Sequence, residues 1–560
     1  MLQTHKTRQT FLKTIAVSAP LLAVAATASA GSGVTPQPKP GDPLPGLTAE
    51  QLERFFLGKE QFNRVFTPAE GLGPIFNQNS CGSCHTVPIG GAGSVTVTRF
   101  GYVDEKKGTF DPLDHLGGSL LQTQFIHEDC AEVVPPEANI TRLRVTNSTL
   151  GMGLVEAIPD SDLVSNESVL NGRVHWVLPL EDDSELRAGR FGWKAQVATT
   201  LTFSGDAALM EMGITNRLLP DELAPNGDDE LLEWCLDLFN APQPNDVPDK
   251  DGFEFIDRIT DFQRFLAPPP QTPKSGMSGE AVFMAIGCGA CHRPSYVTSN
   301  DPSLEDAIRG QVIKPYSDFL LHNMGLLGDE IVQGDAGGYD FRTPSLWGVA
   351  FRDPLMHDGS VGGGTFENRM LQVIALHGVF GSAARPSSLA FNALSSVEKN
   401  QVIAFLASLG RREFDGNADG DVNDIDFAAL INCYTGAGGS ITADDACAVF
   451  DVDQDGSVDE TDFAVFLMVY EGEQEECDLW QQLAAAVAPI SVTIPKHCAK
   501  TPVCVGDLNN SGGVDVQDLL ILLGAWGPCG KGDCPADLNK SGSVDVQDLL
   551  ILLGAWGQCR

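Results

Sequence analysis

Two stretches of the chain carry apolar residues at helical spacing directly ahead of a Cys-x-x-Cys-His motif. In the first, Thr48 and Gln51 form a capping box, and Leu52, Phe55, Phe56 and Phe62 follow along one face. This predicts a helix that leads through Gly71-Leu72-Gly73-Pro74-Ile75-Phe76-Asn77 into Cys81–His85. In the second, Ser278-Gly279-Glu280-Ala281-Val282-Phe283 predicts a helix running into Cys288–His292. A closing helix is expected after Ser395 and Glu398, with Ile403, Phe405, Leu406 and Leu409 on its apolar side and Gly410 as its stop. Between these patterns the periodicity is that of mixed strand and loop up to about Phe265, and Ala267–Pro273 reads as a Pro-rich linker. After Arg412 apolar residues give way to Asp, Asn and Gly, and the chain closes on a tandem repeat, Asp507–Gly527 and Asp537–Gly557.

One apolar run stands apart. Ile15–Ala26 follows Lys6, Arg8 and Lys13 and precedes Ala28-Ser29-Ala30, the layout of a cleavable signal peptide. No later stretch offers about 18 uninterrupted apolar residues, so no membrane span is expected in the mature chain. Export, to the periplasm, the cell surface or the medium, is the expected address. The formal net charge of −39 over 560 residues argues against nucleic acid or an anionic membrane as partner.

Each CxxCH sets two thiols about one helical turn apart, where they can add to the vinyl groups of a haem, with the next histidine beneath the iron. Two covalently bound c-type haems are therefore expected, on Cys81, Cys84 and His85 and on Cys288, Cys291 and His292. Of the 14 cysteines, four sit in these motifs, leaving ten for disulfides in an oxidising compartment. The equal spacing within the repeats suggests Cys504/Cys529 and Cys534/Cys559; Cys433/Cys447, Cys477/Cys498 and Cys130/Cys235 complete the set.

Arg342-Thr343-Pro344-Ser345-Leu346-Trp347-Gly348-Val349 and the following Pro354–Ser360 resemble the second haem domain of bacterial di-haem cytochrome c peroxidases and their MauG-like relatives. Gly41–Gln51, Gly71–His85, Gly189–Ala195 and Glu211–Asn216 resemble the di-haem oxidoreductase (peroxidase) family more specifically, over about residues 41–410. The resemblance implies an oxidoreductase taking electrons from a redox partner protein and acting on a small oxidant such as peroxide. In those relatives a methionine a short helix after the HDG motif is the second axial ligand of the C-terminal haem; at the matching place this chain has His377, so a bis-histidine haem is expected, with Met370 competing and His357 not a ligand. The resemblance also implies Trp193 as the conduit between haems and Glu211 as the acid–base group over the N-terminal haem. The sixth position of that haem stays open, or is taken by Met212 or His115. A carboxylate in a dry pocket has the raised pKa that proton shuttling on peroxide requires. The alternative is an electron-transfer cytochrome without a substrate of its own.

The acidic tail spaces oxygen ligands as an EF-type loop does, with glycine at the turn. Asp415, Asn417, Asp419, Asp421 and Asp426 form one such loop and Asp451, Asp453, Asp455 and Asp462 the next. Asp507, Asn509, Ser511 and Asp518, then Asp537, Asn539, Ser541 and Asp548, form a second pair whose serine lowers the ligand charge. Each loop ends in aspartate and runs into one apolar helix, which resembles dockerin type I modules and implies bound Ca2+ and a cohesin or cell-surface partner. The Ser-Thr pair with which dockerins often meet cohesins is replaced by Asp424-Ile425, Glu460-Thr461, Val516-Gln517 and Val546-Gln547.

The expected organisation is a signal peptide (1–30), a leader (31–46), an N-terminal haem domain (47–266), a linker (267–275) and a C-terminal cytochrome c-like haem domain (276–412). A first dockerin-like calcium-binding pair (413–472), a linker (473–503) and a second pair (504–560) follow. The fold class expected is mainly α: two cytochrome c-like haem domains with irregular or β insertions, then small α calcium-binding modules.

Overall fold

The computed structural model describes residues 34–560 apart from 168–171, 240–243, 274–275, 499–504, 510, 512, 531–533 and 559–560. The expected signal peptide, Cys504 and Cys559 lie outside the described residues. Three helices form the frame of the first CxxCH unit: α1 (Ala49–Asn63), α2 (Thr200–Met212) and α3 (Phe255–Phe265). Thr48 and Gln51 make the reciprocal capping box at the start of α1. The α1–α3 crossing buries Phe55, Phe62, Phe262 and Phe265, each contributing about 1.5–3 kcal/mol of apolar burial. At the crossing the backbones nearly touch, because a Cβ on Gly58 would lie 2.3 Å from the Arg258 carbonyl oxygen.

The second CxxCH unit repeats this construction with α4 (Ser278–Ala285), α5 (Phe366–His377) and α6 (Ser396–Ser408). Ser395 and Glu398 form the capping box of α6, and the helix gives way to Gly410 at φ +83°. Phe283, Phe405 and Leu406 are buried between α4 and α6. Gly279 allows their approach, since a Cβ there would meet the Gln401 carbonyl oxygen at 2.0 Å.

The fold is mixed α/β rather than mainly α. Strand β1 (Thr96–Asp104) pairs antiparallel with β2 (Thr109–Asp111), β3 (Leu120–Leu121) and β4 (Ile140–Val145), and further two-stranded ladders are scattered along the chain. The Pro-rich stretch is pinned rather than free: Pro268–Pro270 are buried, and Thr272 Oγ1 donates to the carbonyls of Ser408 and Arg411 at 3.0 and 2.6 Å.

In the acidic tail, α7 (Asp424–Cys433), α8 (Glu460–Val469) and α9 (Glu476–Ala486) share one core containing Phe427, Phe463, Phe466 and Trp480. Residues 473–503, expected as a linker, thus supply a core helix. Helices α10 (Val516–Gly524) and α11 (Val546–Gly554) form a separate small core with Val514, Leu522, Val544 and Leu552. The two repeats exchange strands: β5 (Gly513–Val514) pairs with β8 (Gly557–Gln558), and β6 (Gly527–Pro528) with β7 (Ser543–Val544). That exchange corrects the expected Cys504/Cys529 and Cys534/Cys559 pairings, because the bond formed is Cys529–Cys534. The bridges Cys130–Cys235, Cys433–Cys447 and Cys477–Cys498 are present.

Candidate haem and calcium sites

Cys81–Ser83 forms a single 3-10 turn capped by the Ser80 side chain, which presents both thiols and His85 to one side. Nδ1 of His85 lies 3.0 Å from the Gly91 carbonyl, so its N–H points there and Nε2 is left as the ligand atom. Burial holds the His85 pKa below its ordinary value, which keeps the ring neutral. Glu211, on the last turn of α2, reaches the same place. Asn77 Nδ2 donates to Glu211 Oε2 at 2.9 Å, and the Asn77 and Gln78 amides donate to the Glu211 carbonyl at 2.8 and 3.1 Å. Burial raises the Glu211 pKa, opposed by Asn77 and by the charge of Arg99. Arg99 donates from Nη1 to Ser119 Oγ at 3.3 Å, while its Nε is buried without a hydrogen-bond partner. Met212 is buried, with Sδ 3.9 Å from Cys81 Sγ. His115 is exposed on the short turn Asp114–Leu116.

One apolar cavity holds the second constellation: Cys288, Cys291, His292, Met370 and His377 all line it. His292 Nδ1 bonds to the Tyr316 carbonyl at 2.9 Å, and His377 Nδ1 to the Val373 carbonyl one helical turn back at 2.7 Å. Both imidazoles therefore keep Nε2 available. Burial lowers the His292 pKa to about 4, and the nearby His377 lowers it further against the Tyr316 bond. Met370 lies two turns before His377 on α5 and faces the same cavity. His357 lines the cavity as well, packed on Phe341 with ring centroids 4.1 Å apart, and burial holds it at about 4.

The segment Val145–Asn147, at the end of β4, runs from one constellation to the other. The Asn147 backbone lies beside the His85 ring, and Val145–Asn147 also line the cavity around His292. Trp193 donates from Nε1 to the Val145 carbonyl at 2.9 Å, and its ring lies 6.3 Å from that of His357. Beside it a fully buried Lys194 Nζ sits 3.0 Å from Asp329 Oδ1, which Arg144 also engages. Burial pulls the Lys194 pKa down to about 8 against Asp329.

These residues suit haem in three respects. The free cysteines among the described residues are the four CxxCH thiols, while the others are bridged. His85, His292 and His377 each bond a backbone carbonyl through Nδ1. Arg342 and Arg352 reach the cavity wall, donating to the carbonyls of Gly192 and Thr343 and of Ser345 and Trp347, with no carboxylate bonded to either among the described residues. Two guanidinium groups placed this way match the propionates of a haem.

The calcium loops are also formed. Asp451, Asp453 and Asp462 bring ligand oxygens within 4.8 Å of one another, and Asp451 Oδ1 is buried without a hydrogen bond. In the preceding loop Asp415 accepts from the amides of Asp419 and Gly420, and the buried Asp426 accepts from those of Gly416 and Asn423. Asp518 and Asp548 hold the corresponding places in the last two loops, each buried and accepting backbone amides. Asn417, Asp421, Asp455, Asp507, Asn509, Ser511, Asp537, Asn539 and Ser541 lie in the same loops.

Sequence reasoning passed over Asn77, Arg99 and Asp206, which surround Glu211, and the buried ion pair His322–Asp318 (2.8 Å) beside Cys291. Asn77 stands inside the run quoted before the first CxxCH and was within reach. Arg99 and His322 lie on strands with no local pattern to mark them.

Residues 137–409 match the family described as "Di-haem oxidoreductase, putative peroxidase", and residues 413–467 match the dockerin type I domain. The first match begins after Cys81–His85, so that site rests on its own motif and geometry. Among solved structures, a MauG-like protein associated with microbial copper homeostasis is 18% identical, with 66% of this chain and 93% of that chain covered and a TM-score of 0.32. A variant of the diheme peroxidase BthA from Burkholderia thailandensis is 15% identical, with 68% and 92% covered and a TM-score of 0.29. No curated protein matches the chain.

Proposed function

From the premise that this chain belongs, over residues 137–409, to the di-haem oxidoreductase family and continues into a dockerin type I domain, we propose an exported, peroxidase-like enzyme with two unequal haem sites. In this reading Cys81, Cys84 and His85 hold the reactive haem. Cys288, Cys291, His292 and His377 hold a closed, bis-histidine relay haem. Held by these residues, haem would supply electrons and polarise the oxidant.

The observation that carries the reading is the setting of Glu211. It is a buried carboxylate beside the first CxxCH, fixed through Oε2 by Asn77 and faced by the positive charge of Arg99. Oε1 is the atom that takes the proton from one peroxide oxygen and returns it to the other as water leaves. Arg99, with an unengaged Nε, steadies the negative charge that develops meanwhile. Trp193 and the Val145–Asn147 segment hold the two sites together as the electron path. The dockerin-like tail carries Ca2+, and its last pair (504–560) provides the means of attachment to a cohesin or cell-surface partner.

The ferric spectrum with a peroxide-turnover assay tests this. One high-spin and one low-spin haem with turnover are expected, and Glu211→Gln should lower the peroxide rate constant by about 10²-fold or more. The position of Met212 Sδ, 3.9 Å from Cys81 Sγ, favours a second reading in which Met212 closes the first haem and the protein only transfers electrons. Two low-spin haems without turnover would establish that reading instead.

A further inference from the structure

The first calcium-binding pair is turned toward its own chain. Immediately after α6, Arg411 Nε donates to the Asp415 carbonyl at 2.8 Å and Nη2 to the Gly416 carbonyl, both in the first loop. Arg412 Nη1 donates to the Gly420 carbonyl in the same loop at 3.2 Å and to Glu471 Oε2 at 2.8 Å. From the leader, Gln37 binds Glu413 through its amide (2.9 Å) and side chain (3.1 Å), and Lys39 pairs with Glu471 at 2.8 Å. At the opposite side, Asp444 Oδ1 accepts the Ser278 amide at 2.9 Å and the Ser278 hydroxyl at 3.0 Å. Ser278 opens α4, whose own N-cap residue, Met277, offers no capping side chain. Asp444 thus supplies the cap for the helix that runs into Cys288–His292.

Of the positions from which the pair would meet a foreign partner, Asp424 and Glu460 are bonded within the chain, while Ile425 is exposed. Asp424 accepts from the Tyr470 hydroxyl and from Gln474 Nε2, and Glu460 accepts the Thr493 amide at 3.1 Å. Helix α9 covers the apolar side of α8, with Trp480 edge-on to Phe463 at 4.6 Å. In the second pair the corresponding positions hold Val516 and Val546, apolar side chains that cannot make such bonds.

We infer that residues 413–498 form an internal brace for the second CxxCH unit, not a docking module: calcium in the loops 415–426 and 451–462 fixes Arg411, Arg412 and Asp444, and through them α4 and α6. The interaction surface is real, and its partner is this chain. The inference rests on the calcium-loop reading, and the second unit's haem serves only as a reporter.

Full-length mature holoprotein is the material for the test, with calorimetry and Soret absorbance followed during heating. Chelating calcium should lower the unfolding temperature of the second CxxCH unit by about 5–10 °C. Asp451→Asn with Asp462→Asn should reproduce that fall and remove the chelator's effect, whereas Asp507→Asn with Asp537→Asn should leave the transition in place. Asp444→Ala, which touches no calcium loop, should retain first-pair calcium stoichiometry yet lower the same transition. An unchanged transition on chelation, or one moved only by the second-pair variants, overturns the brace. Calcium stoichiometry separates the two ways of failing: no calcium bound means that the loop reading falls as well, while bound calcium without coupling means that the brace alone falls. Calorimetry reads the transition whether or not haem is attached, so a failure of the haem reading is seen separately.

Discussion

Glu211 and His377 are the two side chains whose surroundings make opposite demands. Glu211 is a carboxylate raised by burial, so its ionised form prevails only above a pKa higher than the ordinary 4.5. As a base it must be ionised to act. The peroxide rate constant should therefore fall as pH drops through an inflection above 4.5, and Glu211→Gln should abolish the inflection; a pH series of stopped-flow rates checks both. His377 is held by its Nδ1 bond to Val373 with Nε2 toward the cavity. His377→Met should give a low-spin His/Met spectrum and raise the midpoint potential of the second haem, measured by spectroelectrochemistry. An unmoved potential would show that His377 is not the ligand and bring Met370 forward. At this scale the sequence was legible wherever a motif fixed the residue, as with His85 and His292. It was silent on Arg99 and Asp206, which face each other from distant parts of the chain, and on His322, whose place beside Cys291 only the fold reveals.

At the scale of elements, the two CxxCH units share one device: a glycine at the crossing of the helix before CxxCH with the last helix of the unit. Gly58 meets Arg258 and Gly279 meets Gln401 at distances that leave no space for a methyl group. Gly58→Ala and Gly279→Ala should each destabilise their own unit by about 1–3 kcal/mol in denaturant unfolding, although alanine is the better helix former. Helices α1, α4 and α6 were readable from their apolar spacing, and the capping boxes at Thr48 and Ser395 form as the residues imply. Helix α3 escaped notice because its apolar face is interrupted by Arg258 and Asp261, both buried, the first paired with Asp249 in the preceding loop and the second with Arg54, remote in sequence. The disulfide pairing of the repeats failed for a related reason. Equal spacing suggested a bridge within each repeat, but strand exchange brings the end of the first repeat to the start of the second.

Over the whole molecule, acidity dominates. A formal charge of −39 gives the chain a negative field, part of which calcium in the tail loops would neutralise. An electron donor with a basic face should be favoured, and its second-order rate constant should fall steeply between low salt and about 0.5 M salt. An acidic donor should show the opposite salt dependence, a comparison that stopped-flow kinetics makes directly. No helix among the described residues is long and apolar enough to cross a membrane. The acidic tail was legible in the sequence as calcium loops, while its contacts with the rest of the chain were not, because Asp444, Glu413 and Glu471 carry no pattern that distinguishes a brace from a solvated surface.

The division of the cysteines has a consequence for how the protein is made. On the proposed reading, the four free thiols have to stay reduced until haem reaches them, in the same compartment and on the same chain in which others oxidise. Cys130–Cys235 encloses Trp193 and Glu211 within its loop, between the two CxxCH motifs, so its closure sets residues that the proposed reading places beside the haems. Maturation is thus a matter of order. A reductant that opens Cys81–Cys84 for haem must spare the long bridge, and a host that supplies haem without disulfide formation, or the reverse, should yield a chain arrested halfway.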